Sequence, residues 1–185
     1  MSFNRYPRII LDEITESMSR LDSDDCEQAL ELLESAHRIF VLGLGRLGFS
    51  LKSFAMRLMH MGREAYVVGE TTTPNFGPGD LLVIGSASGE TAQLTSIATK
   101  AKGFGGKVLA LTGTAGSTIT DIADVSIVIA APSKSQADST FRSVQPMASL
   151  FEQDVLVLGD SLILAIMDRS AREGAQMFTR HANLE

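Results

Sequence analysis

The sequence predicts an α/β fold, a five-stranded parallel sheet with helices on both faces in a three-layer α-β-α arrangement. Two observations carry that expectation. Five short apolar runs, at 38–42, 65–68, 81–84, 107–111 and 125–129, read as strands buried on both sides. Segments of helical period lie between and after them, at 47–61, 92–104, 117–123 and 146–172. Strands that alternate with helices build parallel sheets with right-handed crossovers. Such sheets bind ligands at the carboxyl ends of their strands. The turns after Leu42, Val68, Ile84, Leu111 and Ile129 belong to that edge, with two long loops at 69–79 and 131–143.

The elements follow in order. Residues 8–21 place Ile9, Ile10, Ile14, Met18 and Leu21 on a helical period. Asp22-Ser23-Asp24-Asp25 supplies a stop and an N-cap. A second helix runs through Ala29, Leu30, Leu32, Leu33 and Ala36, so helices occupy 3–36 before the first strand. Met56, Met59 and Met61 on the next helix are expected to pack the core. The long helix at 146–172 carries Met147, Leu150, Phe151, Leu156, Leu158, Leu162, Ile163 and Ile166. That is more apolar surface than one packing face needs, and the excess points to a second subunit. A short tail, 178–185, closes the chain.

Length and composition narrow the function. At 185 residues the chain suits one domain. A net charge of −6 argues against broad nucleic-acid binding, which needs a basic face. No apolar run approaches the length of a membrane span, and the N-terminus lacks the apolar core of a signal peptide. The single cysteine, Cys26, makes no internal disulfide, so a cytoplasmic location is expected. Its neighbours Asp24, Asp25 and Glu27 disfavour a thiolate. His37, His60 and His181 stand apart, without metal-ligand spacing.

The most informative stretch is Ser86-Ala87-Ser88-Gly89-Glu90-Thr91, between an apolar run and a helix. Free N–H groups and the positive end of the helix dipole favour an anion there. Three hydroxyls can add hydrogen bonds to phosphate oxygens without adding charge. An ordinary N-cap needs only one hydroxyl. A second motif competes. Gly43-Leu44-Gly45-Arg46-Leu47-Gly48 follows a strand, opens a helix and is trailed by Glu70 about 20 residues on, the spacing of a dinucleotide fingerprint. Two preceding helices and the unexplained hydroxyl turn speak against that reading. Two anion-friendly turns suit one phosphosugar held between them.

The order strand, G-x-G-R, helix, strand, strand, S-x-S-G-E-T, helix resembles the sugar isomerase (SIS) domain family over almost the whole chain. Further stretches sharpen the likeness: Phe54-Ala55-Met56-Arg57-Leu58-Met59-His60, Val68-Gly69-Glu70-Thr71-Thr72-Thr73-Pro74, Gln145-Pro146-Met147-Ala148-Ser149-Leu150-Phe151-Glu152-Gln153 and His181-Ala182-Asn183-Leu184-Glu185. These resemble the 6-phospho-3-hexuloisomerases within that family. The resemblance implies interconversion of D-arabino-3-hexulose 6-phosphate and fructose 6-phosphate, in the ribulose monophosphate route of formaldehyde fixation. It also implies a homotetramer without metal or organic cofactor. The family's usual serine in the first turn is Leu47 here.

A 2-keto/3-keto exchange through an enediol needs a base near C2 and C3 and a group that exchanges protons with the oxygens. Glu152, at an apolar helix entrance, is the expected base; a solvated helix-face glutamate is the alternative. His181 is the candidate acid or shuttle, against the alternative of an unstructured tail. Gly45 and Arg46 in the first turn, and Ser86, Ser88, Gly89, Glu90 and Thr91 in the second, are the expected substrate-binding residues. Glu70 is open between a sugar-hydroxyl ligand and a loop cap. A ring closed onto C3 would need O6, which carries the phosphate, so the 3-keto substrate is open-chain. Three rivals stay open: an isomerase of arabinose 5-phosphate or sedoheptulose 7-phosphate, a non-catalytic phosphosugar sensor, and a nicotinamide oxidoreductase.

Overall fold

The computed structural model describes residues 3–133, 141–171 and 174–184 of the chain. Among these residues, twelve elements run in the order α1 (Arg5–Met18), α2 (Ser23–Ser35), β1 (Arg38–Leu42), α3 (Gly45–His60), β2 (Glu64–Val67), β3 (Leu81–Ser86), α4 (Ala92–Gly103), β4 (Lys107–Thr112), α5 (Thr118–Ile122), β5 (Val125–Val128), α6 (Ser149–Ser170) and α7 (Gly174–Phe178). All five strands pair in parallel, in the order β2-β1-β3-β4-β5. The expected sheet is therefore present, and β1 is its topological switch point.

Strand periodicity divides the core into two layers. Ile39 and Val41, Leu81 and Val83, and Leu109 and Leu111 face α2, α3 and α6. Phe40 and Leu42, Leu82 and Ile84, and Val108 and Ala110 face α4 and α5. These residues are nearly all fully buried, which explains why the strands read as continuous apolar runs rather than alternating ones.

Element ends follow local chemistry. Asp22 caps α2, its carboxylate accepting from the N–H groups of Asp24 and Asp25 at 2.8 and 3.1 Å. The helix expected at 47–61 begins two residues earlier, because the glycine turn is itself the first turn of α3. The helix expected from 146 begins at Ser149; Pro146 and Met147 precede it, Met147 with a left-handed φ of +61°. Of the three methionines expected in the core, only Met61 is buried; Met56 and Met59 lie on the outer face of α3. The short α7 had no distinct signal in the sequence. The loop expected at 131–143 lies partly outside the described residues, as do Met1, Ser2, Arg172 and Glu185.

α1 attaches to α6 through buried polar groups. The Ser17 hydroxyl donates to Asp154 Oδ2 at 2.7 Å, and both residues are fully buried. Among the described residues, Asp154 Oδ1 has no partner. Burial, with Glu13 nearby, pushes the Asp154 carboxyl up to about 7 against the pull of the Ser17 bond. Glu13 meanwhile gathers the Ser143 hydroxyl, the Val144 N–H and the Gln145 amide, fixing the approach to α6. Among the described residues, no helix is long and apolar enough to cross a membrane.

Candidate active site

The turns after β1 and β3 face each other at the switch point of the sheet, where open α/β sheets bind ligands. Between them lies a cavity of about 410 Å³, lined by Gly45, Arg46, Ser86, Ser88, Thr91 and Glu152 and floored by Leu47, Leu94, Ala148 and Phe151. The size suits a small ligand.

In the first turn, a Cβ on Gly48 would come within 2.7 Å of the Gly43 carbonyl oxygen. Close packing of α3 onto the end of β1 therefore requires glycine at 48, and the fingerprint spacing has a packing explanation. Leu47, in the place of the family's serine, is buried and packs toward Gly85. Arg46 projects beside the cavity, half-exposed.

The second turn is built by its own hydroxyls. Ser86 ends β3; its Oγ accepts from the Gly89 N–H at 3.1 Å and lies 3.5 Å from Thr91 Oγ1. Ser88 Oγ accepts from the Glu90 N–H at 3.3 Å. Thr91 sits at the N-cap of α4, yet its hydroxyl makes no capping bond. The first turn of α4 thus lacks a side-chain acceptor, and an anion in the cavity would supply one.

Gly89 and Glu90 do not line this cavity. Gly89 has φ +67°, and a Cβ on it would fall 2.0 Å from Ser117 Oγ. The Glu90 carboxylate turns toward α5, where it accepts from the Thr118 hydroxyl at 2.7 Å and the Thr118 N–H at 2.8 Å. Those two bonds, the hydroxyl first, hold its carboxyl below the usual range. The pair fastens the hydroxyl turn to α5, where the sequence reading expected substrate contacts.

Glu152 enters from the first turn of α6. Its side chain is 14% exposed, and Oε2 pairs with Arg46 Nη1 at 2.6 Å. Ser50 Oγ donates to the Glu152 carbonyl at 2.7 Å, tying α3 to α6 at this level. Ala148 and Phe151, four and one positions before Glu152, complete the floor, and Ser133 also lines the cavity. From the sequence, Ala148 is marked only by its motif and Phe151 also by the apolar surface of the long helix; their apolar character and neighbourhood to Glu152 are the available signal for the site.

His181 lies elsewhere. It packs beside His60, Arg57 and Phe178 at the carboxyl end of α3. Arg46 and His60 are 14 positions apart on that helix, about 21 Å at 1.5 Å per residue. A single chain does not bring His181 to Glu152. Glu70 also stands outside the cavity, paired with Lys52 at 2.8 Å. His37 is exposed, and His60 is buried. The Cys26 thiol is pushed up, by burial first and then by Asp25, Asp22 and Glu27, as its acidic surroundings suggested.

Comparisons with known proteins agree with this architecture. The SIS domain family matches residues 32–158. The chain is 43% identical over its full length, and over the full length of the relative, to the 3-hexulose-6-phosphate isomerase of Bacillus subtilis (strain 168). It is 35% identical to the 3-hexulose-6-phosphate isomerase of Mycobacterium gastri, covering 96% of this chain and 88% of that one. A crystal structure of a Methanococcus jannaschii protein, described as inferring a 3-hexulose-6-phosphate isomerase function, superposes with a TM-score of 0.83 at 30% identity, covering 98% and 99% of the two chains. The chain belongs to the SIS domain family and, within it, to the group of 3-hexulose-6-phosphate isomerases.

Proposed function

We propose that this protein interconverts D-arabino-3-hexulose 6-phosphate and fructose 6-phosphate, the isomerase step of the ribulose monophosphate route, in the cytoplasm. Full-length identity to 3-hexulose-6-phosphate isomerases supports the reaction. One geometric observation carries the mechanism: a hydroxyl turn and a nearly buried carboxylate line the same cavity.

The phosphate sits at the N-terminus of α4, taking hydrogen bonds from the Ser88 and Thr91 hydroxyls and from first-turn N–H groups. The open chain then extends toward α6. Glu152 removes the proton from C2, and the C–H electrons form the C2=C3 bond while O3 gains the proton or negative charge. Arg46 stabilises the developing oxyanion. Loss of the O2 proton makes the C2 carbonyl, and Glu152 returns its proton to C3. His181 exchanges protons with O2 and O3.

The distance between Glu152 and His181 supports a reading in which the second comes from another copy of the chain. The homotetramer implied by the family supplies one. Exposed apolar side chains on α3 and α6, among them Phe49, Met56, Leu156 and Leu164, supply a surface for it.

The test is a coupled assay that follows fructose 6-phosphate formation from the 3-hexulose phosphate. Turnover supports the reading. No turnover of this substrate, with turnover of arabinose 5-phosphate or sedoheptulose 7-phosphate, replaces it. Binding of sugar phosphates without turnover of any makes the protein a sensor.

A further inference from the structure

His181 is held in a way that an idle tail would not require. Its ring stacks on His60, with centroids 5.5 Å apart and planes 17° from parallel. It also stacks on Phe178, at 5.9 Å and 23°. His60 is 6% exposed and fixed in the body of the protein, whereas Phe178 is 76% exposed. One ring anchors His181 to the fold, and the other travels with it on the tail.

The hydrogen bonds assign the protons. Ala182 O lies 3.0 Å from His181 Nδ1. A carbonyl only accepts, so Nδ1 carries a proton and Nε2 is the exchanging atom. Arg57 Nη1 lies 3.3 Å from His60 Nδ1. A guanidinium only donates, so His60 Nδ1 accepts and that ring is neutral. Burial first, then Arg57 and His181, push His60 down, which favours the neutral ring. A neutral ring face tolerates His181 as imidazole or as imidazolium; a charged one would repel the imidazolium.

We propose that His60 and Phe178 are positioning residues that hold the His181 imidazole for proton exchange, through Nε2, with a substrate bound at Glu152 of a second copy of the chain. The inference rests on the reading of His181 as the proton shuttle. Neither residue touches the substrate, so each acts on turnover rather than on binding.

The experiment compares His60→Ala, His60→Phe, Phe178→Ala and His181→Asn in the full-length protein by steady-state kinetics. His60→Ala and Phe178→Ala are expected to lower kcat about tenfold with KM within about twofold of native. His60→Phe, which restores a flat ring, recovers most of kcat. Native kcat in both alanine variants overturns the clamp, as does a His60→Phe variant no better than His60→Ala. Native kcat in His181→Asn overturns the shuttle itself, and the two failures are thereby distinguished. A second measurement is independent of activity and of whether the variants fold. In the histidine-labelled wild-type protein, the His181 ring proton signal is expected upfield from the ring currents of its neighbours. A signal at the position of an unstacked histidine overturns the proposal.

Discussion

Arg46 Nη1 and Glu152 Oε2 lie 2.6 Å apart, joining the first turn of α3 to the first turn of α6 at the cavity. The two residues are 106 positions apart in sequence. Sequence reasoning named each for a separate role and did not foresee the pair. The pair gives Glu152 a fixed orientation, held further by Ser50 beneath it. It also places the guanidinium beside the carboxylate proposed as the base.

Glu152→Gln keeps the size and the polar contact with Arg46 but accepts no proton. It should lower kcat by about 10²–10⁴ with KM near native. The native enzyme should introduce solvent deuterium at C2 or C3, and the variant should not. Mass spectrometry of the recovered sugar checks this. Near-native exchange in the variant would move the base away from Glu152.

The hydroxyl turn makes a graded prediction. Thr91 has no capping bond and Ser88 holds only one long bond to Glu90 N–H, so both hydroxyls are available to phosphate. Thr91→Val and Ser88→Ala should each weaken binding by about 1.5–3 kcal/mol, roughly ten- to hundredfold in KM. Ser86→Ala removes one of the two acceptors of the Gly89 N–H, leaving the Ser86 carbonyl at 3.1 Å, and should also lower thermal stability slightly. Initial rates over a range of sugar phosphate concentration decide it. An unchanged KM in Thr91→Val and Ser88→Ala alike would take phosphate out of this turn.

Much of this was legible beforehand, for identifiable reasons. Strands 38–42, 81–84 and 107–111 were visible because both faces of a parallel sheet are buried, so each strand is a continuous apolar run. Ser86, Ser88 and Thr91 were visible because three hydroxyls exceed what one cap requires. The direction of a side chain was less legible. Glu90 sits in the motif, yet its carboxylate serves Thr118, a partner 28 positions away that no local pattern identifies. Met56 and Met59 carry the same apolar signal as Met61 but sit on the other face of α3, and composition does not distinguish a core from an unpartnered face. His181 was singled out as a residue, while its distance from Glu152 depends on where α7 and the tail dock.

Gly89 tests whether the turn is locked to α5. Gly89→Ala combines a left-handed backbone with a Cβ driven into Ser117, and should cost about 2–4 kcal/mol. Gly116 has the same φ of +67° with open space around its Cβ position. Gly116→Ala therefore carries the backbone penalty alone, about 1–2 kcal/mol. Denaturant melts of the two variants separate the terms. Equal losses would mean that the contact with Ser117 is not what fixes the turn.

Asp154 makes stability depend on pH with a definite sign. Its folded value, about 7, lies above the ordinary 3.8. Between those values the folded state keeps a proton that the unfolded state has released, so stability falls as pH rises. The contribution is fully present below about pH 4 and is lost as pH climbs through about 7. Asp154→Asn keeps a polar group for Ser17 and carries no charge. It should match the native protein near pH 4 and exceed it at pH 8 by a few kcal/mol. Urea melts at the two pH values check this. A native protein that gains stability from pH 4 to pH 8 more steeply than the variant would reverse the assignment.

The separation of Glu152 and His181 predicts complementation between inactive chains. Both residues are read as essential, and α3 holds them at opposite ends. Each site would then draw Glu152 from one chain and His181 from another. Glu152→Gln and His181→Asn homo-oligomers should both be nearly inactive. In a mixed pair, one site collects both substitutions and the other collects neither. Unfolding the two variants together and refolding them at equal ratio should therefore restore about a quarter of native activity, because about half the pairs are mixed and each holds one intact site. The same variants refolded separately and then combined should stay inactive until subunits exchange. Recovery requires a shared site. If His181 instead served the cavity of its own chain, every site in the mixture would carry one substitution, and the refolded mixture would be as inactive as its parents. Truncation after Arg180 offers a second check. The shortened chain should fold and assemble yet pair productively with Glu152→Gln chains, since it retains an intact Glu152 and lacks the tail, 181–185, whose histidine the other chain supplies.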